Sequence, residues 1–518
     1  RRLAAGFGNT GDGITVAGRS RDVRIDGNRI AGNSGDGIGI QLGSTAVVMT
    51  NNTIGDTADG GAGGNDGGGI SIDRTIGNIV GQGNRISGNA VGIAMTGANA
   101  PTTVTGNRVL GSDVFANLGH GIQISGSSRN TIGGFDPSDA NWILQNGDAN
   151  DSESSAGVQI EDNARYRLPA TGNIVRGNYI GTSEYQEVDT TYGNEVGVRM
   201  AGGQDNLLTN NVIMNNAASG VELAGGTSNR VGGMGELDGN VIAANNGHGV
   251  YVHDGADDRL TRGHEIMANV IEVNNGDGVF VEGRHLDANN DRILDLPQTT
   301  VEISVGEHMT NGQVSGRPNI IHGNGGYGVR VNGAKQVSVQ GNSIAENTSG
   351  GLQLENNANW FSGYALTLVD SHVESARDGT TRVTGYVYGE PLDRYVIDIY
   401  SNPYYDFDRI DPTTGQPAGY QMRTFVGRAM VVAGEDGWAS FAIDISEEVE
   451  VGDVVSITAT SLRYGIGSTT APSNHLVHDL SGDPDHSTPS VPSGPPPVTS
   501  TPPSTSSPRR GPVPPSQR

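Results

Sequence analysis

A six-residue pattern, N-x-[IV]-x-x-N, begins at Asn28, Asn84, Asn141, Asn173, Asn211, Asn240, Asn269, Asn319 and Asn342. Copies start 23 residues apart from Asn319 to Asn342, and 29 apart from Asn211 to Asn240 to Asn269. Most run on into G-[IVL]-x-[VILM], as in NRIAGNSGDGIGI from Asn28 to Ile40 and NVIEVNNGDGVFV from Asn269 to Val281. Self-similarity at a period of this size marks a solenoid, whose units bury their apolar faces only by stacking on one another.

The segments after the glycines decide strand over helix. GVYVH from Gly249 to His253 and GVFVE from Gly278 to Glu282 alternate in period two and are rich in β-branched residues. Strands of three to five residues cannot stand alone, but stacked on the next copy they gain a parallel ladder at about 4.8 Å spacing. Inward Ile and Val then form columns, and stacked asparagine amides hydrogen-bond along the axis. Glycines and asparagines are expected at corners that need left-handed backbone. About 23 residues per coil suits three short strands joined by turns, and the repeat region predicts a parallel β-helix of roughly 13 coils, about 60 Å long. The 81 glycines among 518 residues fit this fold. They argue against amphipathic helices, where each costs about 1 kcal/mol relative to alanine, and they lack the every-third spacing of collagen.

Composition divides the chain. Of 45 asparagines, 43 lie at or before Asn359, and 12 of 22 prolines fall in the last 38 residues. We therefore expect a repeat domain over 1–360, a second domain over 361–480, and a disordered Pro-rich tail over 481–518. Val383 to Val387, Tyr395 to Tyr400, Arg423 to Val432, Trp438 to Ile445 and Val454 to Thr460 alternate polar and apolar residues between turn-rich gaps. That pattern predicts a β-sandwich of the immunoglobulin or fibronectin III kind, suited to covering an open last coil. A carbohydrate role for it would rest on Tyr400, Tyr404 and Tyr405 alone. The chain opens on Arg1-Arg2-Leu3 with no apolar signal core, and a repeat is under way at Phe7, so a processed product or a fragment is expected.

Charge and cysteine exclude whole classes. A formal charge of −25 opposes binding to nucleic acid or an anionic membrane, and the absence of cysteine removes disulfides, zinc-thiolate centres and cysteine nucleophiles. No apolar run reaches the roughly 18 residues of a membrane span.

The motifs NTIGG from Asn130, GNYIGT from Gly177 and GNVIAAN from Gly239 carry a resemblance. Over nearly all of 1–360 the chain resembles the right-handed parallel β-helix repeat proteins of the pectate-lyase-like superfamily. It is most similar to a group of secreted bacterial proteins with NTIGG, GNVISGN and GNYIGT repeats. The stretch from RVTGYVYG through FVGRAMVVAGEDGWASFAIDI to VVSITATS resembles the sandwich that follows the β-helix in that group. The resemblance implies a right-handed coil and an extracellular or cell-surface location in a bacterium. It leaves activity open, because the superfamily hosts lyases, hydrolases, epimerases and non-catalytic stalks.

Two GHG tripeptides, around His120 and His248, resemble the histidine motif of β-helical pectin-degrading hydrolases. The same corner slot holds Asp36, Ser219, Asp277, Tyr327 and Gly350 in other coils, so a variable turn residue explains both histidines. The other motifs of that hydrolase family are absent, as is the DPHE motif of alginate epimerases. DANNDRILD places Asp287, Asn289, Asp291 and Asp295 at positions one, three, five and nine of a calcium loop, with the Ile293 carbonyl at seven. Arg292 replaces the turn glycine and Gln298 the closing glutamate, so Ca2+ would be held weakly, and a solvated acidic loop is the competing reading.

Strand register supplies the candidate site. In each G-[IV]-x-[VIL] strand the x residue and the one two later point outward. Early coils offer Gly39, Ser71, Ala94 and Gln123. Later coils offer Gln159 with Glu161, Arg199, Glu222, Tyr251 with His253, Phe280 with Glu282, and Arg330 with Asn332. Tyr251 and Phe280 would stack about 5 Å apart as a platform for a sugar ring. Arg199 and Arg330 would hold a uronate carboxylate, and Glu222, His253 or Glu282 would move a proton. The 284–310 insertion would wall the groove. A salt-bridged exterior with cross-strand aromatic pairing is the competing reading. Two functions follow: a secreted or cell-surface scaffold, expected to be monomeric, that binds polysaccharide or a cell-surface component; or a lyase, epimerase or glycoside hydrolase, the first two acting on an acidic glycan.

Overall fold

The computed structural model describes residues 8–476 apart from 56–62, 98–104, 148–154, 184–189, 256–259, 284–299, 311, 357, 360–366, 376–380, 404–420, 446–448, 450–452, 463–467 and 471. The 360/361 boundary, the tail and the calcium loop with Asp287, Asn289, Asp291, Ile293 and Asp295 fall outside these residues, as do Tyr404 and Tyr405.

The repeat builds three sheets of 12, 14 and 11 strands among the described residues, parallel throughout except for Gln313–Gly316, which pairs antiparallel in the second. The first sheet runs from Ile14–Val16 to Gly350–Glu355, the second from Arg24–Asp26 onward, and the third from Arg29–Ile30 to Ser343–Ala345. Twelve strands in the first sheet mean twelve coils, one fewer than the sequence suggests. Insertions account for the difference, since Asn146 meets Asn194 and Asn274 meets Asn324 one coil away at 48 and 50 residues. The fold expected from the periodicity is the fold observed.

Each position of N-x-[IV]-x-x-N has a physical task. The third residue points inward: Ile143, Ile180, Ile213, Ile242, Ile271 and Ile321 succeed one another in one fully buried column of the third sheet. Each such side chain contributes about 1.5–3 kcal/mol by leaving water. The two asparagines enter separate ladders. Asn211, Asn240, Asn269, Asn319 and Asn342 form one, each donating its backbone and side-chain N–H to the next Oδ1. Asn216, Asn245, Asn274, Asn324 and Asn347 form the other. The copy at Asn173 is an exception, since its strand Ile174–Arg176 lies in the second sheet. Asn173 therefore belongs to a third ladder with Asn130 and Asn206.

The left-handed corners are not at the ladder asparagines, as expected, but one residue before them. Asn210, Asn215, Ala244, Ala268 and Val273 have φ between 47° and 61°. That bend turns the following amide inward, where it is buried. Glycine suits the slot, as at Gly177 with φ 67°. Val273, at φ 47° and 58% exposed, pays β-branched strain there. Val273→Gly is expected to raise unfolding free energy by up to about 1 kcal/mol, read as a higher denaturation midpoint; a lower midpoint would show the coil holds valine without strain. The strand glycines serve differently. A Cβ on Gly220 would sit 2.6 Å from Ile242 Cγ2 and 2.6 Å from Asn245 Nδ2, so glycine there permits close approach of coils.

The five strands expected in the second domain are present as Thr381–Tyr388, Arg394–Asn402, Thr424–Val432, Trp438–Ile445 and Val454–Ser461, with Thr367–Ser375 added. They form antiparallel sheets packed over a shared core that includes Val383, Ile397, Phe441 and Ile457, a β-sandwich. The sandwich closes the last coils. Met422 pairs with Ile344 through backbone bonds of 2.7 and 2.8 Å, and Val339 N–H donates to Thr469 Oγ1 at 2.8 Å. Arg428 joins Glu307 at 2.8 Å to Asp398 at 2.6 Å. Tyr400 is fully buried in the β-helix core, its hydroxyl accepting from Gly341 N–H, so it offers no surface to a glycan. Residues 300–310, expected as part of an insertion, form a strand of the second sheet.

Candidate functional site on the first sheet

The outer row is continuous in register. Gly39, Ser71, Ala94, Gln123, Gln159, Arg199, Glu222, Tyr251, Phe280 and Arg330 succeed one another, and Gln353 extends the row beyond the residues singled out from sequence. Small neutral side chains give way to charged and aromatic ones halfway along.

Glu222 is the centre of the charged part. Its Oε1 lies 3.1 Å from Arg199 Nε and 2.9 Å from His253 Nε2. His253 sits one coil above, opposite Ala224, and that small residue leaves room for the imidazole to lean across. The other ring nitrogen, Nδ1, lies 2.8 Å from the Asp254 carbonyl. Burial pushes the Glu222 carboxyl up, but His253 and Arg199 outweigh it and hold the group below the usual carboxylate range. Glu222 is thus an ionised carboxylate paired with the Arg199 guanidinium and in hydrogen-bond contact with His253.

Tyr251 and Phe280 stack at 5.3 Å with rings 4° from parallel. Phe280 is only 8% exposed, with His248 5.0 Å away and the Arg330 guanidinium 5.0 Å over its ring. The pair therefore offers edges more than an open face, which corrects the expected platform. The Tyr251 hydroxyl donates to Glu282, and burial together with that carboxylate pushes the phenol well above its usual range. Arg330 is engaged by Glu355 at 2.7 Å, as Arg199 is by Glu222, so both guanidinium groups expected to await a uronate already face carboxylates.

The GHG histidines have a structural task. His120 Nδ1 accepts the Ala156 N–H at 3.0 Å, and His248 Nδ1 accepts the Asp277 N–H at 3.0 Å. Asp36 and Asp277 do the same through Oδ1 for Gly68 and Tyr327, both at 2.7 Å. The slot is an acceptor for the next coil's amide, which Asp and His both satisfy. Burial pushes both imidazoles below the usual range, in keeping with neutral rings that accept at Nδ1.

No helix among the described residues is long and apolar enough to cross a membrane. The family described as right handed beta helix region matches residues 12–185, and the family described as periplasmic copper-binding protein NosD matches 104–294. No curated protein matches the sequence. Among solved structures, the A-module of a mannuronan C-5 epimerase from Azotobacter vinelandii is 13% identical, covering 68% of this chain and 78% of that one with a TM-score of 0.35. A periplasmic alginate epimerase is 13% identical over 66% of this chain and 78% of its own, with a TM-score of 0.37. The enzymatically active domain of tailspike protein 2 from bacteriophage CBA120 is 10% identical over 85% and 72%, with a TM-score of 0.25. Three stacked parallel sheets, two asparagine columns read from one motif, and the family matches identify the chain as a right-handed parallel β-helix protein.

Proposed function

We propose that the protein is a β-helical scaffold outside the cytoplasm that binds polysaccharide along the outer face of its first sheet. The observation that carries this reading is the row from Arg199 to Gln353, where the half-buried Arg199, Tyr251, Arg330 and Gln353 present donors, acceptors and a ring edge over the buried Glu222 and Phe280 at the coil spacing of about 4.8 Å. A chain of hydroxyl-bearing rings is matched by such a face, because paired guanidinium and carboxylate groups keep further N–H donors and lone pairs for hydroxyls. The location rests on the description of the second matched family.

Affinity electrophoresis through gels containing alginate, polygalacturonate, xylan or galactomannan tests the reading. At least one polysaccharide should retard the protein, and Arg199→Ala with Tyr251→Ala should lower its affinity at least tenfold while leaving the melting temperature within a few degrees. Equal retardation of the variant, or none for the wild type, would refute it.

A second reading, catalysis, is favoured by one observation: a carboxylate, a histidine and an arginine converge at Glu222 within 3.1 Å. Glu222 and His253 form a pair able to pass a proton. Unsaturated-product absorbance on polyuronates, lost in His253→Ala, would replace the scaffold reading with a lyase. The described residues offer no ligand set for the copper named in the second family's description. Among the described residues no three histidine, aspartate or glutamate side chains cluster as ligands, the chain has no cysteine, and both nitrogens of His253 face protein oxygens.

A further inference from the structure

The third sheet carries its own outer row, made in most coils by the residue that follows a ladder asparagine. Arg85, Asp113, Trp142 and Tyr179 succeed one another there, followed by Val212 and Val241. Tyr179 stacks on one face of Trp142, at 5.9 Å and 14°. On the other side Trp142 is followed in register by Asp113, whose side chain is short and lines the same slot. Arg85 lies two coils below Trp142, so a gap of about 9.6 Å between their strands is bridged by one small residue. Arg85 does not fill it, because its guanidinium is drawn sideways onto the Phe115 ring, 4.3 Å from the centroid.

The remaining wall is built by a loop. The Gln145 backbone N–H donates to the Tyr192 carbonyl at 3.0 Å, and its side-chain amide donates to the Thr191 carbonyl at 2.6 Å. These bonds hold the short turn Thr190–Tyr192 beside the strand end and bring Tyr192 to the slot. The result is a groove of about 430 Å³ lined by Arg85, Asp113, Phe115, Trp142, Gln145 and Tyr192. That volume suits one or two sugar rings, at the lower end of small-ligand sites.

We propose that this slot is a second carbohydrate site, taking an uncharged pyranose stacked on Trp142 with hydroxyls bonded to Asp113 and Arg85. A pyranose has one flat C–H face and a rim of hydroxyls, and the slot has one indole face with an acceptor, a donor and an amide around it. Asp113 and the Arg85 guanidinium interact electrostatically and offset each other, so the slot has no net charge and suits a neutral ring on a chain of net charge −25. The site stands apart from the first sheet, so its occupancy does not depend on the Glu222 face.

Isothermal titration with cellohexaose, mannohexaose, xylohexaose and hexa-N-acetylchitohexaose, alongside hexagalacturonate and hexamannuronate, tests the assignment. At least one neutral hexasaccharide should bind, Trp142→Ala should weaken it at least tenfold, and Arg199→Ala should leave it unchanged. Trp142→Ala removes a stacking partner of Tyr179, so Asp113→Leu serves as a second variant that fills the floor and should abolish binding in a protein of wild-type melting temperature. Failure of all four neutral sugars, unchanged affinity in both slot variants, or dependence on Trp142 for the two uronates alone would overturn the proposal.

Discussion

Asn269→Ala is expected to destabilise the protein by about 4 kcal/mol, a large loss for a solenoid held coil by coil. Asn269 is 1% exposed. Its Oδ1 accepts the Asn240 backbone N–H at 3.1 Å and the Asn240 amide at 2.9 Å. Its Nδ2 donates to the Val231 carbonyl at 2.9 Å and to Asn319 Oδ1 at 3.0 Å. Alanine removes all four bonds and orphans the Asn240 backbone donor, which is itself buried. A lost bond costs about 1 kcal/mol net, and a buried unsatisfied donor adds about 1–3 kcal/mol. The damage should be local, because each coil contacts only its neighbours. Amide exchange of Val241, Ile242, Val270 and Ile271 should accelerate while that of the early coils, such as Ile38 and Ile70, stays protected. Asn246→Ala is the control: that asparagine is exposed, and its loss should cost less than about 1 kcal/mol. If the two variants prove equally stable, the ladder does not hold the coils together.

The ladder was legible because it needs one residue type at one place. An asparagine side chain both donates and accepts at a reach that fits the coil spacing, so it continues the column without a break, and its recurrence shows in the sequence. The left-handed slot beside it was not legible in the same way. Gly, Asn, Ala, Gln and Val all occupy it, and only their shared offset from a buried asparagine reveals it. Register gave the outer row of the first sheet correctly, since period-two alternation fixes which side chains face outward. Rotamers were beyond it: that His253 leans over Ala224 to Glu222, or that Arg330 turns to Glu355, depends on neighbours one coil away. The slot on the third sheet was missed for a plainer reason. The register that follows the glycines reaches the outer row of the first sheet alone. Aligning the residue after each ladder asparagine sets Arg85, Trp142 and Tyr179 in one file, and would have shown the aromatic pair.

His264 breaks the rule that asparagine fills the column, and this makes stability depend on pH. It follows the left-handed Gly263 and accepts the Asn229 backbone N–H at Nδ1, 3.1 Å away, in the place an asparagine holds in the coils below. Its other nitrogen, Nε2, lacks a well-formed hydrogen bond. The ring is completely buried, and burial pushes its pKa down to about 4 against the backbone around Gly225 and Asn229. An unfolded chain takes up the proton near pH 6.5, so the folded state is at no disadvantage above that value. Between pH 6.5 and about 4 only the unfolded chain is protonated, and stability falls as pH falls; below about 4 the loss levels off. The full loss is about 3 kcal/mol, with about 2 kcal/mol of it present at pH 5. Carboxylates titrate in the lower part of this window too, so the measurement is a difference between two proteins that share them. His264→Asn restores the column and removes the proton. From pH 7 to pH 5 the urea midpoint of the wild type should drop further than that of the variant, by the equivalent of about 2 kcal/mol. Parallel midpoints across that range would mean that the imidazole is protonated in the folded coil, and that the column accommodates a cation.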